Sequence, residues 1–401
     1  MENKSILDQI ITNYKAEEIA KLNAIEIIND IFDKLNERER DILIRRFGLH
    51  GKGKETLENI GNIHNLTRER IRQIETTALA KLRKLKDLNE RLSGLKKVIN
   101  ELIEEHGGII ERNYLLDNLV NFSVDGVKSI AEEGVHKRYL DFLIAKLLFD
   151  EFEEINNSNN FINSFKIKYS SLEHLEQLAE ELLAEIKNAK KIFTTEEIIN
   201  LSKRMDSYQK NKGKFNANNI IDISNIIKST LYDENTNIIN ENKIIYSLLK
   251  ASKHIGQNKF GHWGIYNSKE IKPKTINDKI YLVLKNHGQP MHFVEIADKI
   301  NKISFDNKKA NPATVHNELI LDSKYILVGR GLYGLKEWGY KKGTVADIIT
   351  SILADSQNSL SKEEIINKVL DQRLVKKSTI ILSLMNKDKF IKLDGKYKLK
   401  E

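Results

Sequence analysis

The spacing of apolar residues along the chain predicts a protein built mainly of α-helices. Residues 56–85 show this most clearly, because apolar residues recur there at intervals of three or four positions: Ile71, Ile74, Ala78, Leu82 and Leu85. Such spacing places them on one face of a helix, so that the polar residues of the segment face outward. A short helix and a turn precede this longer helix. The segment therefore has the pattern of a helix-turn-helix whose second helix enters the DNA major groove.

Further helices are predicted before this segment. Residues 5–34 carry apolar residues at helical spacing among acidic ones, and they form a predicted N-terminal helical segment. Asn36 is the predicted N-cap of the next helix, and Gly48 is predicted to end it.

A second pattern, a helix start followed by a hairpin, recurs in the rest of the chain. Each start has an apolar residue, a capping residue and a Glu three positions after the cap, which predicts a capping box with a hydrophobic staple. The pairs are Thr194 with Glu197, His292 with Glu295, and Ser361 with Glu364. A weaker instance without the box lies at residues 110–116.

A predicted β-hairpin follows each of these three clear helix starts. Residues 390–393 and 396–399 flank an Asp-Gly pair, which is a strong two-residue turn signal. Residues 325–328 and 332–335 flank Gly-Arg-Gly in the same way. Residues 260–266 are the predicted wing of the unit that begins near residue 172. Helices followed by such a hairpin form a winged helix, so these units are predicted winged helices.

The predicted fold class is mainly α, with a helix-turn-helix domain followed by tandem winged-helix domains that have small β-hairpin wings. An apolar fraction of 40% favours small domains with modest cores over one large core. The predicted divisions are an N-terminal helical segment at 1–34, the helix-turn-helix domain at 35–93, a helical, candidate winged-helix domain at 94–171, and winged-helix-like domains at 172–271, 272–341 and 342–401.

Composition favours a soluble protein with a polyanionic partner. The formal net charge is +8 with a pI near 9.1, and residues 35–85 hold 12 Lys and Arg against 7 Asp and Glu. Most of the surplus charge is thus assigned to the helix-turn-helix domain. Cysteine is absent, which excludes disulfides and fits a reducing cytoplasm. With no secretion signal and no apolar run of about 18 residues, we expect a cytoplasmic protein without a membrane partner.

Residues 25–90 resemble region 4 of the sigma-70 family of bacterial RNA polymerase sigma factors, the part that binds the −35 promoter element. The motifs that carry the resemblance are LNERERDILIRRFGL, TLENIG and LTRERIRQIETTALAKLRKL, and residues 67–75 are the most specific part. The resemblance implies double-stranded promoter DNA and the bacterial RNA polymerase core as partners, with the β-flap as the contact region on the polymerase.

The resemblance also implies DNA-contacting residues. The predicted base-reading set is Arg68, Glu69, Arg72 and Gln73. The positions that match backbone contacts are Arg38, Arg46, Thr56 and Leu57. Thr67 is the predicted N-cap of the second helix. The positive end of this helix at Thr67, together with the charges of Lys81, Arg83 and Lys84, is predicted to add phosphate affinity.

The chemistry of these side chains supports base reading. Arg68 can donate two hydrogen bonds to guanine and Glu69 can accept one from the cytosine amino group, each contact being worth about 1–3 kcal/mol of discrimination. The alternative is a solvent-exposed helix face with intrahelical pairs, such as Arg68 with Glu69 or Arg72 with Glu75.

Sigma factors also carry a region 2, whose aromatic and basic helix melts and captures the −10 element. No such segment is found before residue 35 or after it. We therefore expect that the protein does not open promoters alone.

Residues 274–341 resemble a second family, the winged-helix module HARE-HTH. The motifs MHFVEIADKI and NPATVHNELILDSKYILVGRGLYGLKEWGY carry this resemblance. The module also forms the N-terminal domain of the RNA polymerase delta subunit in some Gram-positive bacteria, and it occurs in restriction-related and chromatin-associated proteins. A further winged-helix-like unit stands where the charged tail of delta is expected.

Other side chains have two interpretations each. Trp263 and Trp338 either stack on bases or pack within their wings. Arg330, at a hairpin tip, is a candidate wing contact to a minor groove or to phosphate, or simply an exposed arginine. His292 and His316 lack a third ligand at metal spacing, so capping or packing is the preferred interpretation.

The leading hypothesis is a sequence-specific DNA-binding transcription protein of the sigma class that acts with RNA polymerase. The alternatives are a polymerase-binding scaffold that does not read DNA, and a DNA-recognition subunit of a restriction or defence system or an enzyme outright. No P-loop, HExxH or nucleophile-elbow motif is present, so we expect no catalytic residue, cofactor, metal or small-molecule substrate.

Overall fold

The computed structural model describes residues 24–123, 130–216, 221–227, 229–356, 359–393 and 395–400. The predicted N-terminal helical segment lies outside these residues except for its last part. The chain divides into two compact units, residues 1–267 and 268–401. Helices dominate both units and the sheets are small and antiparallel, so the predicted fold class is confirmed.

The first unit begins with the helix-turn-helix domain and continues into two winged helices. The first four helices among the described residues are α1 (Ala24–Phe32), α2 (Glu37–Phe47), α3 (Leu57–His64) and α4 (Arg68–Arg83). The first winged helix comprises α5 (Leu88–Glu105), β1 (Ile109–Glu111), α6 (Arg112–Ser123), α7 (Ile130–Phe142), a π-helix (Leu143–Leu147), β2 (Phe152–Ile155) and β3 (Ser164–Ile167). The second comprises α8 (Glu173–Ala189), α9 (Thr195–Arg204), α10 (Asp206–Lys210), a 3-10 turn (Lys212–Phe215), α11 (Ser224–Ile227), α12 (Thr236–Glu241), α13 (Lys243–Ala251), β4 (Ile255–Gln257) and β5 (Trp263–Ile265).

Local capping explains where the first helices start and stop. Asn36 and Glu39 exchange side-chain-to-amide hydrogen bonds, so α2 begins with a full capping box. Thr56 and Thr67 cap α3 and α4, each accepting a hydrogen bond from the amide three residues further on. Gly48 ends α2 with a φ of 69°, a backbone conformation that glycine adopts without strain. The caps predicted at Asn36, Gly48 and Thr67 are confirmed.

The two winged helices of the first unit share one strand topology. In the first, β1 pairs with β3, and β3 pairs with β2. In the second, Phe193 stands just before α9 and pairs with Trp263 of β5, which in turn pairs with β4. The residues that precede the second helix therefore pair with each hairpin, as a third strand in the first winged helix and as a single bridging residue in the second. The sequence patterns did not predict this pairing.

The weakest predicted repeat, at residues 110–116, forms a winged helix as well. Its second helix, α6, is capped by a carboxylate instead of a hydroxyl. Glu111 accepts hydrogen bonds from the amides of Asn113 at 2.9 Å and Tyr114 at 2.7 Å. The missing capping box is thus replaced by a side chain that is itself part of β1.

A large hydrophobic core extends through the first unit from Ala24 in α1 to Trp263 in β5. The expectation of separate modest cores is wrong for this unit, because neighbouring domains share their buried side chains. Helix α13 shows how: Ser247 donates to the Ile109 carbonyl of β1 at 2.6 Å. On the same helix, the ammonium of Lys243 forms a buried ion pair with Glu105 of α5 at 2.7 Å. Both contacts join the second winged helix to the first.

The second unit contains two further winged helices with the same topology. The first comprises α14 (Ile276–His287), β6 (Met291–His292), α15 (Phe293–Ile303), α16 (Pro312–Leu321), β7 (Tyr325–Gly329), β8 (Leu332–Leu335) and a 3-10 turn (Lys336–Trp338). The second comprises α17 (Val345–Ala354), β9 (Leu360–Ser361), α18 (Lys362–Leu370), α19 (Lys377–Leu384), β10 (Phe390–Leu393) and β11 (Lys396–Leu399). The sheet orders are β6-β8-β7 and β9-β11-β10.

The predicted helix starts and hairpins beyond the first winged helix are confirmed. Capping boxes form at Thr194, His292 and Ser361, and both hairpins of the second unit pair as predicted. The wing predicted at residues 260–266 supplies β5, while its other strand lies earlier, at β4. Among the residues described, no helix combines the length and apolar character needed to cross a membrane.

Candidate nucleic-acid interface

Helix α4 exposes a continuous polar face near its N-terminus. Its exposed residues there are Arg68, Glu69, Arg70, Arg72 and Gln73. The opposite face is buried as predicted, fully at Ile71, Ala78 and Leu82 and partly at Ile74 and Leu85. The structure therefore brings all four predicted base-reading side chains to one exposed surface.

Two hydrogen-bonded pairs organise this exposed face. Arg72 donates to both carboxylate oxygens of Glu69, at 2.7 and 2.9 Å. Arg70 donates to the side-chain oxygen of Gln73 at 3.1 Å. The hydrogen bond from Arg72 is the main cause that lowers the pKa of Glu69. Glu69 is consequently an ionised carboxylate at neutral pH, which accepts hydrogen bonds and donates none.

A small apolar cluster and a tight turn support α4 from below. Ile42, Ile60 and Ile71 are fully buried and pack together between α2, α3 and α4. Gly61 lies in α3, and a Cβ added there would lie 2.6 Å from the carbonyl oxygen of Leu66 in the turn that follows. The chain passes so close to α3 that a side chain does not fit at this position. The glycine of the TLENIG motif is therefore a requirement of the turn.

Ion pairs between α2 and α4 fix the direction of α4. Lys81 pairs with Glu39, whose side chain is 8% exposed. Nε of Arg46 lies 3.5 Å from a carboxylate oxygen of Glu75, and the Arg46 guanidinium also donates to the Glu55 carbonyl at 3.1 Å. Lys81 and Arg46, both predicted phosphate contacts, are thus engaged within the protein. Their contacts to DNA stay predictions, and the structure adds a positioning role.

The first winged helix holds the C-terminal end of α4. Nε of Arg83 donates to the Lys146 carbonyl in the π-helix at 2.9 Å. The Arg83 guanidinium also lies 4.1 Å from the centre of the Phe149 ring, within cation–π distance. Arg83 thus contacts protein in this structure, whereas Lys84 is exposed. A phosphate contact by either residue stays a prediction.

The other predicted phosphate contacts lie at helix starts. Arg38 is exposed in the first turn of α2, beside an open groove. The hydroxyl oxygens of Thr56 and Thr67 accept hydrogen bonds as N-caps, and a hydroxyl that accepts in this way can still donate its hydrogen to phosphate. Leu57, in the first turn of α3, is half-buried.

Helix α7 of the first winged helix packs on the helix-turn-helix domain. The Phe142 ring contacts the rings of Phe32 and Phe47, with centroids 5.7 and 4.9 Å apart. Arg138 donates to the Gly48 carbonyl at 3.1 Å. Sequence reasoning missed this interface, because no local pattern links side chains that are 90 positions apart. The contact joins the helix-turn-helix domain to the first winged helix.

The aromatic and wing candidates have separate outcomes. Trp263 is 1% exposed and donates to the Thr195 hydroxyl at 2.9 Å, so it is a core residue and not a base-stacking one. Trp338 is half-buried beside Tyr340. Arg330 is exposed at the tip between β7 and β8, and its contact to DNA stays a prediction.

The two histidines pack instead of pairing as ligands. His292 caps α15, accepting a hydrogen bond from the Val294 amide at 3.4 Å. The ring of Phe293 packs between His292 and His316, with centroid distances of 4.5 and 4.6 Å. Across the described ranges, no group of three or more His, Asp or Glu side chains is placed to hold a metal ion.

The segment is a helix-turn-helix of the DNA-binding class. It has two capped helices, a tight turn that requires Gly61, and an exposed face with Arg68, Glu69, Arg72 and Gln73. Family comparison then places this element. Residues 31–84 match the family model for sigma-70, region 4. Residues 274–338 match the model for HARE-HTH, a helix-turn-helix domain whose description names ASXL and restriction endonuclease proteins. Both resemblances drawn from the sequence are confirmed over these residues.

Similar proteins include several named RNA polymerase sigma factor SigA. The protein of that name from Microcystis aeruginosa is 51% identical over 67 residues, which is 17% of this chain and 16% of the relative. SigA from Nostoc sp. is 47% identical over 76 residues, covering 19% and 17% of the two chains. SigA from Bacillus sp. is 43% identical over 86 residues, covering 20% and 23%. The chain thus spans less than a quarter of the length of these relatives, and no solved structure shows a significant match to it.

Proposed function

We propose that this protein is a sequence-specific DNA-binding transcription protein of the sigma class, which reads a −35-like promoter element through α4. The observation that carries the proposal is the exposed face of Arg68, Glu69, Arg72 and Gln73. The helix that presents this face packs on an apolar cluster through Ile71 and is held by ion-pair and hydrogen-bond contacts near its C-terminal end. The match to sigma-70 region 4 over residues 31–84 supports it.

The pairing on this face favours reading of a G·C-containing step. Arg68 makes no hydrogen bond or ion pair within the described part of the chain, so its planar fork can meet guanine O6 and N7. Arg72 orients the Glu69 carboxylate before DNA arrives, and that carboxylate accepts from the cytosine amino group. Because Arg72 has five N–H donors, those not directed at Glu69 serve neighbouring bases or phosphates. Each base contact contributes about 1–3 kcal/mol of discrimination.

The contacts that hold α4 in place support sequence-specific base reading. Base contacts discriminate only when the side chains are held near their productive positions. The contacts of Lys81 with Glu39, and of Arg83 with Lys146 and Phe149, fix α4 near its C-terminal end. The cluster beneath Ile71 fixes its N-terminal half. The proposed interface is therefore preorganised.

The proposed partners are promoter DNA and the RNA polymerase core. Association with polymerase follows from the likeness of residues 31–84 to region 4 and to proteins named sigma factors. We assign the polymerase contact to the β-flap, and we assign the HARE-HTH segment a supporting role in the same assembly. The protein is proposed to act in the cytoplasm without catalytic chemistry of its own.

Selection from a pool of randomised duplexes with the full-length protein tests the proposal. Arg68→Ala and Glu69→Ala are expected to relax preference at particular base pairs, while Arg38→Ala weakens binding to all sequences about equally. Glu90→Ala is the control, because Glu90 is an exposed carboxylate on the next helix, α5. Unchanged sequence preference in both α4 variants would show that α4 does not read bases.

Two further measurements separate the alternatives. A polymerase scaffold would co-purify with the polymerase core while selecting no DNA sequence from the pool. A restriction or defence enzyme would nick or cut supercoiled plasmid in the presence of Mg²⁺. Either result would replace the proposed function.

A further inference from the structure

The last winged helix of the chain lies outside both family matches and carries a dense set of lysines. Residues 376–400 contain eight Lys and two Asp, which gives a net charge of +6 in a chain whose total is +8. The lysines stand at positions 376, 377, 387, 389, 392, 396, 398 and 400. The assignment of most surplus charge to the helix-turn-helix domain therefore overlooks a second basic region.

Some of these lysines lie at the start of α19, the third helix of this winged helix. Lys376 and Lys377 are exposed there, as are the hydroxyl residues Ser378 and Thr379. Lys376 occupies the N-cap position but makes no side-chain capping hydrogen bond, unlike Ser361 at the start of α18. Ammonium groups, hydroxyls and helix-start amides are the groups that proteins use to contact phosphate oxygens.

The wing presents a second group of lysines on its outer face. In the hairpin, Ile391 is opposite Lys398 and Leu393 is opposite Lys396. Alternation along a strand puts these four side chains on the face opposite the buried Phe390. Both lysines are exposed. The outer face of the wing thus carries ammonium groups between apolar side chains.

Within the described residues, a salt bridge engages Lys389 but none engages the lysines at positions 376, 377, 396 and 398. Lys389 pairs with Asp347 at 3.1 Å. Lys376, Lys377, Lys396 and Lys398 form no ion pair within the residues that the structure describes. Among nearby acids, the pKa of Glu364 is lowered mainly by hydrogen bonds from Ser361, with smaller electrostatic contributions from Lys396 and Lys368. Glu364 offsets part of the charge of Lys396, and the four lysines together leave a surface of net positive charge.

We propose that α19 and the β10–β11 wing form a second DNA site, which binds the phosphates of duplex DNA without reading sequence. Helix α19 contains Lys, Ser, Thr, Ile and Leu but no Arg, Asn or Gln. It therefore lacks the forked side chains that α4 offers to base edges, while lysine supplies a point charge that suits phosphate. The exposed Leu382 on α19 and Met385 directly after it add apolar contact to the sugars of the DNA backbone.

This proposal goes beyond promoter reading, and an experiment can refute it while base reading by α4 still holds. Salt dependence measures it directly, because each phosphate neutralised by a lysine steepens the slope of log K against log salt by about 0.9. The test uses full-length protein and a duplex of random sequence about 30 base pairs long, titrated between about 50 and 200 mM salt. Replacing Lys376, Lys377, Lys396 and Lys398 with Gln should flatten the slope by up to about 3.6 and weaken binding by about tenfold or more.

A matched variant controls for the loss of net charge. Lys187 and Lys212 are exposed lysines in the second winged helix of the first unit, and their replacement with Gln changes the charge without touching the proposed site. This double variant is compared with Lys396→Gln/Lys398→Gln, which should flatten the slope by up to about 1.8 while the control does not. Unchanged melting of each variant shows that folding is intact.

The outcomes separate this proposal from the promoter-reading one. Loss of affinity in the quadruple variant for all duplexes alike, with sequence preference kept, supports the site. An unchanged salt slope in that variant overturns it even if α4 reads sequence. In a third outcome, the wild-type protein binds vesicles of phosphatidylserine and phosphatidylcholine, and the quadruple variant binds DNA as tightly as the wild type does. This outcome would assign the lysine surface to anionic lipid and would also overturn the proposal.

Discussion

Replacing Gly61 with Ala tests whether the turn of the helix-turn-helix controls the position of α4, the proposed base-reading helix. A Cβ at this position meets the Leu66 carbonyl oxygen at 2.6 Å. That carbonyl belongs to the turn itself, and the turn is closed by a hydrogen bond of 2.9 Å from the Leu66 amide to the Gly61 carbonyl. The backbone must therefore move, because no flexible side chain can give way. The residue after Leu66 is Thr67, the N-cap of α4, so the displacement reaches Arg68 and Glu69.

The net magnitude follows from two opposing effects. Alanine is favoured over glycine in a helix by about 1 kcal/mol. Forcing extra volume into a packed site costs about 1–3 kcal/mol, and contact with backbone places this site toward the upper end of that range. We expect Gly61→Ala to lower the local stability of α3 and α4 by about 1–2 kcal/mol, which corresponds to a factor of about 5–30 in an opening equilibrium.

Gly134→Ala provides the matched control, because Gly134 is also helical and a Cβ there has no atom within 4 Å. The same substitution should be neutral or stabilising by about 0.5–1 kcal/mol at that site. Hydrogen exchange on the full-length protein measures both effects. Amides of α3 and α4 should exchange about 5–30 times faster in Gly61→Ala, and selection for specific duplexes should weaken. Exchange and DNA selection equal to wild type in Gly61→Ala would refute the steric reasoning.

Three further predictions concern charged groups. Burial lowers the pKa of His106 to about 4, so the unfolded chain takes up a proton at this position first as the pH falls. The contribution of His106 to the free energy of unfolding is therefore complete above about pH 6.5, and that free energy falls by about 2 kcal/mol between pH 7.5 and 5. Thermal melts over this range should show a smaller loss in His106→Gln. Lys243→Met should lower the free energy of unfolding by about 3–5 kcal/mol, because it leaves the Glu105 carboxylate buried without its cation. The double change Glu105→Leu/Lys243→Met should recover much of that stability in the same melts. Arg72→Ala removes the hydrogen bonds that lower the pKa of Glu69, so a carboxyl NMR titration should show the Glu69 midpoint at a higher pH. An unchanged midpoint would contradict the pairing of Arg72 with Glu69.

Short-range sequence patterns were sufficient to predict the local elements of this protein. Several confirmed features depend on side chains within a few positions of one another: the caps at Asn36 and Thr67, the capping boxes at Thr194 and Ser361, and the pairing of β10 with β11. Helical spacing likewise placed the polar face of α4 on the exposed side. Such features are predictable because hydrogen bonds and apolar spacing within one turn or one hairpin act over short stretches of chain.

Tertiary packing, in contrast, determines which of these elements share a core and which charged side chains are engaged. The contact of Arg138 with Gly48 spans 90 positions, and the ion pair of Lys243 with Glu105 spans 138. Arg83 is a surface cation in the sequence pattern, yet it stacks on Phe149 and binds the Lys146 carbonyl. No local pattern encodes these pairings, because they depend on how the chain returns to itself, and burial then makes the contact energetically important.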